Sequence, residues 1–176
     1  TVIETLPSFV DRAFVVDDCS TDTTWDEIIA AAERENAARE RVAVTDGGHQ
    51  NQRIVPIQHE RNRGVGGAIK TGYMAARDEG LDVVTVMGGD GQMDPSILDR
   101  IIDPVVEGRA DYAKGNRLLR PGDQTDMPAH RVAGNYLLTI LTRVAAGYWT
   151  VGDPQNGYTA ISNDAIEDAA AEKMFE

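Results

Sequence analysis

Short apolar runs alternate with long helical patterns along this chain, and that alternation limits its architecture more than any other feature. "RAFVVDD" (12–18) reads as a buried strand ending in acids, and "STDTTWDEIIAAAERENAAR" (20–39) as a capped, Ala/Glu-rich helix. "RIVPIQ" (53–58) is a second strand, in which Pro56 signals an edge position. "GVGGAIKTGYMAARDEG" (64–80) is a glycine turn opening a helix that Gly80 closes. "DVVTVMG" (82–88) is the most strand-like run, followed by a helix from Pro95 to about Glu107 and a strand in "ADYAKGN" (110–116). "AHRVAGNYLLTILTRVAAGYW" (129–149) is a strongly apolar helix; "GDPQNGYTAIS" (152–162) gives a loop and short strand before a last Ala/Glu helix. Such alternation predicts βαβ units and an α/β fold, a mostly parallel sheet flanked by helices. Residues 1–12 read as the end of a helix entering the first strand, whereas a doubly wound fold normally opens on a strand. The expectation is one domain, 1–176, that is a fragment lacking its first strand.

A chain of 176 residues is long enough to bury a real core as a single domain. Its 29 acids against 17 bases leave a net charge of -12. Long-range repulsion then opposes a general nucleic-acid or anionic-membrane surface. A nucleotide held by a few local donors or by a metal remains compatible. The acids are scattered, which fits a solvated acidic surface and, more sharply, a high-salt cytoplasm. Cys19 is the only cysteine, which excludes a disulfide framework and a cysteine metal site. His49, His59 and His130 lack ligand-type spacing and read as surface or loop histidines. No run approaches the roughly 18 apolar residues of a membrane-crossing helix, and no signal-peptide pattern is present. The chain reads as soluble and intracellular.

Chemistry concentrates where strands end. "DDCSTD" (17–22) places Asp17 and Asp18 at a strand's carboxyl end, where successive side chains take opposite faces and one can line the ligand crevice of an α/β sheet. Ser20 or Asp22 serves the next helix as a cap. "GVGGAIKT" (64–71) fails both the P-loop and the dinucleotide pattern, because Ile69 stands where each needs glycine. It still offers backbone N–H groups to an anion at a helix N-terminus; the plain alternative is close helix–sheet packing. "GGDGQMDP" (88–95) sets Asp90 on the same crevice with Gln92 two residues on. One carboxylate is a poor cage for a divalent ion, yet magnesium is often held by one or two carboxylates plus phosphates and water. Asp94-Pro95 reads as a helix start. Arg117 and Arg131 flank the polar loop 117–128, and two forked donors in so acidic a chain suit phosphate. Taken alone, "DPQNGY" (153–158) is a structural turn.

In order, "VVDDCSTDTT", "NRGVGGAIKTGY", "MGGDGQMDP", "KGNR", "MPAHRVAGN" and "DPQNGY" resemble the family 2 glycosyltransferases of the GT-A (Rossmann-like) fold, in their dolichyl-phosphate mannose or glucose synthase branch. The resemblance implies that Asp17 and Asp18 recognise the base or ribose of a UDP- or GDP-sugar donor. Gly64, Gly66 and Lys70 would border the nucleotide. Asp90 matches the last acid of the family's Asp-x-Asp and Gln92 the glutamine after it, both beside Mg²⁺ or Mn²⁺ and the diphosphate. Gly88 departs from the pattern, replacing the first metal acid. Arg117 and Arg131 would handle phosphate, and Asp153 becomes the candidate catalytic base. The implied acceptor is a polyprenyl (dolichyl-type) phosphate at the cytoplasmic face of a membrane, with membrane contact through parts outside this chain and a homodimer as an open possibility. The loop 117–128 would close over the donor and exclude water. A nucleotidyltransferase and a non-catalytic nucleotide-sugar-binding domain are the alternatives.

Overall fold

A computed structural model describes residues 2–46, 52–116, 129–147 and 156–171. The chain opens with a 3₁₀ turn, Val2–Thr5, and enters strand β1 at Ala13–Asp17. Helix α1 spans Thr24–Asp46, strand β2 Ile54–Gln58 and helix α2 Gly64–Asp78. Strand β3 (Val83–Val86) leads through a 3₁₀ turn, Pro95–Ile97, into helix α3, Leu98–Val106. Strand β4 is Tyr112–Lys114, helix α4 Ala129–Ala146, strand β5 Thr159–Ser162 and helix α5 Asn163–Ala171.

The expected α/β class is present, with every strand run in its expected place. Helix α1 starts at Thr24, after the expected capping residues, and runs on to Asp46, past the expected end at Arg39. Cys19 adopts a left-handed φ of 63°, which breaks any helical run through it. The cap then falls to Asp22, whose Oδ1 accepts from the Thr24 amide at 3.0 Å. Asp94 does the same for the later turn, accepting from Ser96 at 2.8 Å with Pro95 in the first position.

β1 and β2 pair in parallel, with Ala13 opposite Ile54 and Asp17 opposite Gln58. β3–α3–β4 is a crossover that sets β3 and β4 in the same direction one strand apart. β5 fills the gap between them and runs antiparallel to both. The described strands therefore form a parallel pair and a three-stranded sheet with one reversed member. That reversal was not foreseen, because an apolar run carries no mark of its direction.

Two apolar clusters hold these layers. Ile3, Ala31, Ala32 and Ile54 pack with Ala13, Val15 and Ile28, which sets α1 on one face of the β1–β2 pair. Tyr73, Ile161 and Ile166 pack with Ile69, Val84 and Val86, which joins α2 and α5 to β3 and β5. α2 also lies against β1, so one helix touches both sheets. Pro56 sits in β2, whose only strand partner among the described residues is β1, as its edge signal implied. Asn36 on α1 covers β2 at Ile54: its amide accepts from Ile54 N and donates to Ile54 O, each at 2.9 Å. Arg53 ties the entering segment down by donating to the carbonyls of Leu6, Pro7 and Val10. On α4, Leu137, Leu138, Ile140, Leu141 and Val144 are exposed. No described helix is long and apolar enough to cross a membrane.

Candidate functional site

The pleat of β1 divides its terminal acids. Asp17 shares the α1 face with Ala13 and Val15 and is 3% exposed. Its two oxygens accept from the Ser20 amide at 3.3 and 3.4 Å, and Oδ2 accepts from Gln58 Nε2 at 3.1 Å. Bonding to Ser20, and secondarily to Gln58, holds this carboxyl below its ordinary value despite burial.

Asp18 takes the other face. Its Oδ1 lies 2.7 Å from His59 Nδ1 and accepts from the Arg63 amide at 2.8 Å. His59, then Arg63, lowers the carboxyl's pKa. An ionised carboxylate only accepts, so Nδ1 carries the ring proton here, and His59 Nε2 lies 2.8 Å from Thr71 Oγ1 on α2. The expectation of a surface or loop histidine holds only in part: His59 does lie in the loop one residue past β2, but it is 5% exposed and not at the surface. The parallel register explains why. Gln58 stands opposite Asp17 and the His59 amide donates to the Asp17 carbonyl at 2.9 Å, which brings the next residue on each strand together. The sequence carries no mark of that register, so nothing in it pairs His59 with Asp18.

α2 begins beside Asp18. Gly64 has φ +74° and its amide donates to Asn62 Oδ1 at 3.0 Å. Gly64 and Gly66 are exposed, while Lys70 is half-buried one turn beyond Gly66. A side-chain Cβ at Gly66 would meet nothing within 4 Å, whereas one at Gly67 would collide with Arg63 Cβ. Close packing therefore accounts for Gly67 and leaves Gly66 without a packing reason.

The turn after β3 is closed locally. Asp90 is exposed, and its Oδ1 accepts from the Gln92 amide at 3.0 Å. The Gly88 amide donates to Met93 Sδ at 3.2 Å, and Gly91 has φ +74°. A Cβ at Gly88 would approach Asp90 Oδ1 to 3.2 Å, so the missing acid is also the absence of a crowding neighbour. Among the described residues, no group of three or more His, Cys, Asp or Glu is placed to hold a metal. What the turn offers is one carboxylate and one exposed amide side chain, a set suited to an ion that substrate phosphates and water complete.

A second clamp comes from the far end of the chain. Tyr158 is 3% exposed and its hydroxyl donates to the Asp94 carbonyl at 3.2 Å. Burial, with Asp94 and Asp99 nearby, pushes this phenol up to about 12. Asn156 Oδ1 accepts from the Tyr158 amide at 3.0 Å, and the Gly115 amide donates to the Tyr158 carbonyl at 2.9 Å. A Cβ at Gly115 would come within 2.7 Å of Asn156 Nδ2, and one at Gly157 within 3.2 Å of Met93 Cε. The "KGN" and "NGY" pieces thus meet each other and back the Asp90 turn. Sequence reading missed Tyr158 and Asn156, since nothing in a turn-like run marks a long-range contact.

Arg117, Asp153 and the loop 117–128 lie outside the described residues. Arg131 sits in the first turn of α4, with only its backbone described. Asp18 and Asp90 follow strands of separate sheets, with α2 against both β1 and β3.

Comparison with known proteins bears on this arrangement. One relative is the UDP-N-acetylglucosamine–dolichyl-phosphate N-acetylglucosaminyltransferase of Methanococcus voltae, 34% identical over 115 residues, 65% of this chain and 45% of that protein. The dolichol-phosphate mannosyltransferase of Pyrococcus furiosus is 25% identical over 174 residues, 94% of this chain and 44% of its own length. The undecaprenyl-phosphate mannosyltransferase of Micrococcus luteus is 26% identical over 174 residues, 93% of this chain and 63% of its own. The chain spans about half the length of the relatives it matches. The family described as Glycosyl transferase family 2 matches residues 2–169, nearly the whole chain, and to that family the chain belongs.

Proposed function

We propose that this chain forms part of an enzyme that moves a hexose from a UDP- or GDP-sugar to a polyprenyl (dolichyl-type) phosphate, with inversion at the anomeric carbon. The observation that carries the reading is Asp18. In a family 2 domain, a carboxylate at the end of β1 is fixed beside the exposed glycine turn of α2. That geometry suits the hydroxyls of a ribose or the edge of a base, with the nucleotide's charge toward the helix N-terminus. Relatives named for dolichyl and undecaprenyl phosphate support the acceptor class. α4, which has no acid in a chain of net charge -12, exposes apolar residues of the kind a hydrocarbon-tailed acceptor would meet.

In this reading an acceptor phosphate oxygen bonds to the anomeric carbon as the bond to the donor diphosphate breaks. Asp90 and Gln92 would hold Mg²⁺ or Mn²⁺, which when bound offsets charge on the leaving diphosphate. Arg117 and Arg131 would add forked donors to phosphate. Asp153 would serve as base, a modest task because a phosphate acceptor is already anionic.

A thermal-shift screen with UDP-N-acetylglucosamine, UDP-glucose and GDP-mannose, each with and without Mn²⁺, tests the donor half. One nucleotide class is expected to raise the melting temperature, more so with metal; no shift with any of them overturns the reading. Asp90→Ala should abolish the metal-dependent part and keep the fold, so unchanged calorimetric donor binding with Mn²⁺ removes Asp90 from the site. Gly88 favours a second reading, a domain that binds nucleotide-sugar without transferring it. Binding without turnover on polyprenyl phosphates would select that one.

A further inference from the structure

We propose that His59 is a positioning residue for nucleotide-sugar recognition, holding the Asp18 carboxylate in its working orientation through Nδ1 and anchoring it to α2 through Nε2. The inference rests on the reading of Asp18 as a donor contact. Three observations support it. The His59 side chain is 4% exposed whereas that of Asp18 is 19% exposed, so the ring is sealed behind a carboxylate that still reaches solvent. Both the ring and the Arg63 amide bond the same oxygen, Oδ1, which fixes the carboxylate's rotation and leaves its exposed side to a ligand. The far ring nitrogen is engaged by Thr71 Oγ1, so the imidazole cannot turn without breaking a bond at each end.

Any buried histidine needs a partner at both nitrogens; what marks this one is that its Nδ1 partner is a carboxylate still open to solvent. With Nδ1 as donor to the carboxylate, Nε2 is left to pair with the Thr71 hydroxyl, which can both donate and accept. The chain Thr71–His59–Asp18 therefore spans from the body of α2 to the tip of β1, and it sets where the acid stands relative to the first turn of the helix. Asp17 shows the contrast, since its oxygens are committed to Ser20 and Gln58 on the buried face.

Side-chain isosteres separate the two ring nitrogens. In His59→Asn the new amide nitrogen would superpose on the imidazole Nδ1 position; in His59→Gln the amide instead reaches the Nε2 position. The experiment measures calorimetric affinity for UDP and for GDP with Mn²⁺, together with melting temperature, in wild type, Asp18→Asn, His59→Asn and His59→Gln. Asp18→Asn should weaken the nucleotide that wild type binds by about tenfold or more, the scale of one charge-assisted hydrogen bond. His59→Gln should weaken it comparably, while His59→Asn, which keeps the Nδ1 contact but loses the anchor to Thr71, should fall between wild type and His59→Gln whatever the order of the two melting temperatures. If Asp18→Asn binds as wild type does, or wild type binds neither nucleotide, the reading of Asp18 falls and this inference with it. If Asp18→Asn weakens binding but His59→Gln does not, the reading stands and the positioning role is overturned. Losses in both His59 variants that simply follow their melting temperatures also overturn it, leaving His59 a structural residue.

Discussion

Asp17 and Asp18 show how far adjacent, chemically identical residues diverge once a strand places them. The depressed pKa of each means that its ionised form is bound better in the folded chain than in the unfolded one. Their stabilising contribution is complete above the ordinary value of 3.8 and is lost as pH falls through the lower folded values. Melting temperature should therefore drop steeply below about pH 4, and Asp17→Asn should flatten that acid limb; an unchanged limb in pH-resolved melts would count against this assignment. Cys19, directly after them, holds φ 63°, which costs a side-chain-bearing residue roughly 1–2 kcal/mol. Cys19→Gly should melt several degrees above Cys19→Val, a comparison thermal denaturation decides. At this scale the sequence revealed acids, glycines and the capping role of Asp22. It hid His59, because burial of a histidine is set by a neighbouring strand and by α2, not by its own surroundings in the chain.

Among the elements, helix α2 tests what a glycine is for. Gly66 has open space around its missing Cβ, so Gly66→Ala should leave the fold intact and add up to about 1 kcal/mol of helix propensity. Gly67→Ala meets Arg63 and should lower the melting temperature. If Gly66→Ala holds its stability but loses donor affinity, the glycine serves the ligand; loss of neither removes Gly66 from the site. The α1–β2 contact gives a second case. Asn36→Ala strips partners from both the amide and the carbonyl of Ile54, which should cost on the order of 1–3 kcal/mol in chemical denaturation. Element identities were readable because apolar period and capping chemistry are local. The Asn36 bridge and the Tyr158 clamp were not, since their partners lie 18 and 64 residues away in the chain.

For the whole molecule, net charge and sheet organisation set the behaviour. With a charge of -12, raising ionic strength should raise the melting temperature by screening self-repulsion; a falling temperature in added sodium chloride would contradict that. Composition announced this property at once. The division into a parallel pair and a three-stranded sheet was not legible, because strand order and direction follow from which helices pack where. Within the described residues, no strand of one sheet hydrogen-bonds to a strand of the other. Their joint includes α2, which packs on β1 and places Ile69 among Tyr73, Val84 and Val86. Without a shared ladder, the amides of the two sheets need not exchange with solvent in one cooperative event. Native-state hydrogen exchange should resolve two opening free energies, one for β1–β2 and one for β3–β5–β4. Ile69→Ala should lower the second and spare the first. The acid at the end of β1 and the turn after β3 would then stay in register only while α2 remains docked to both.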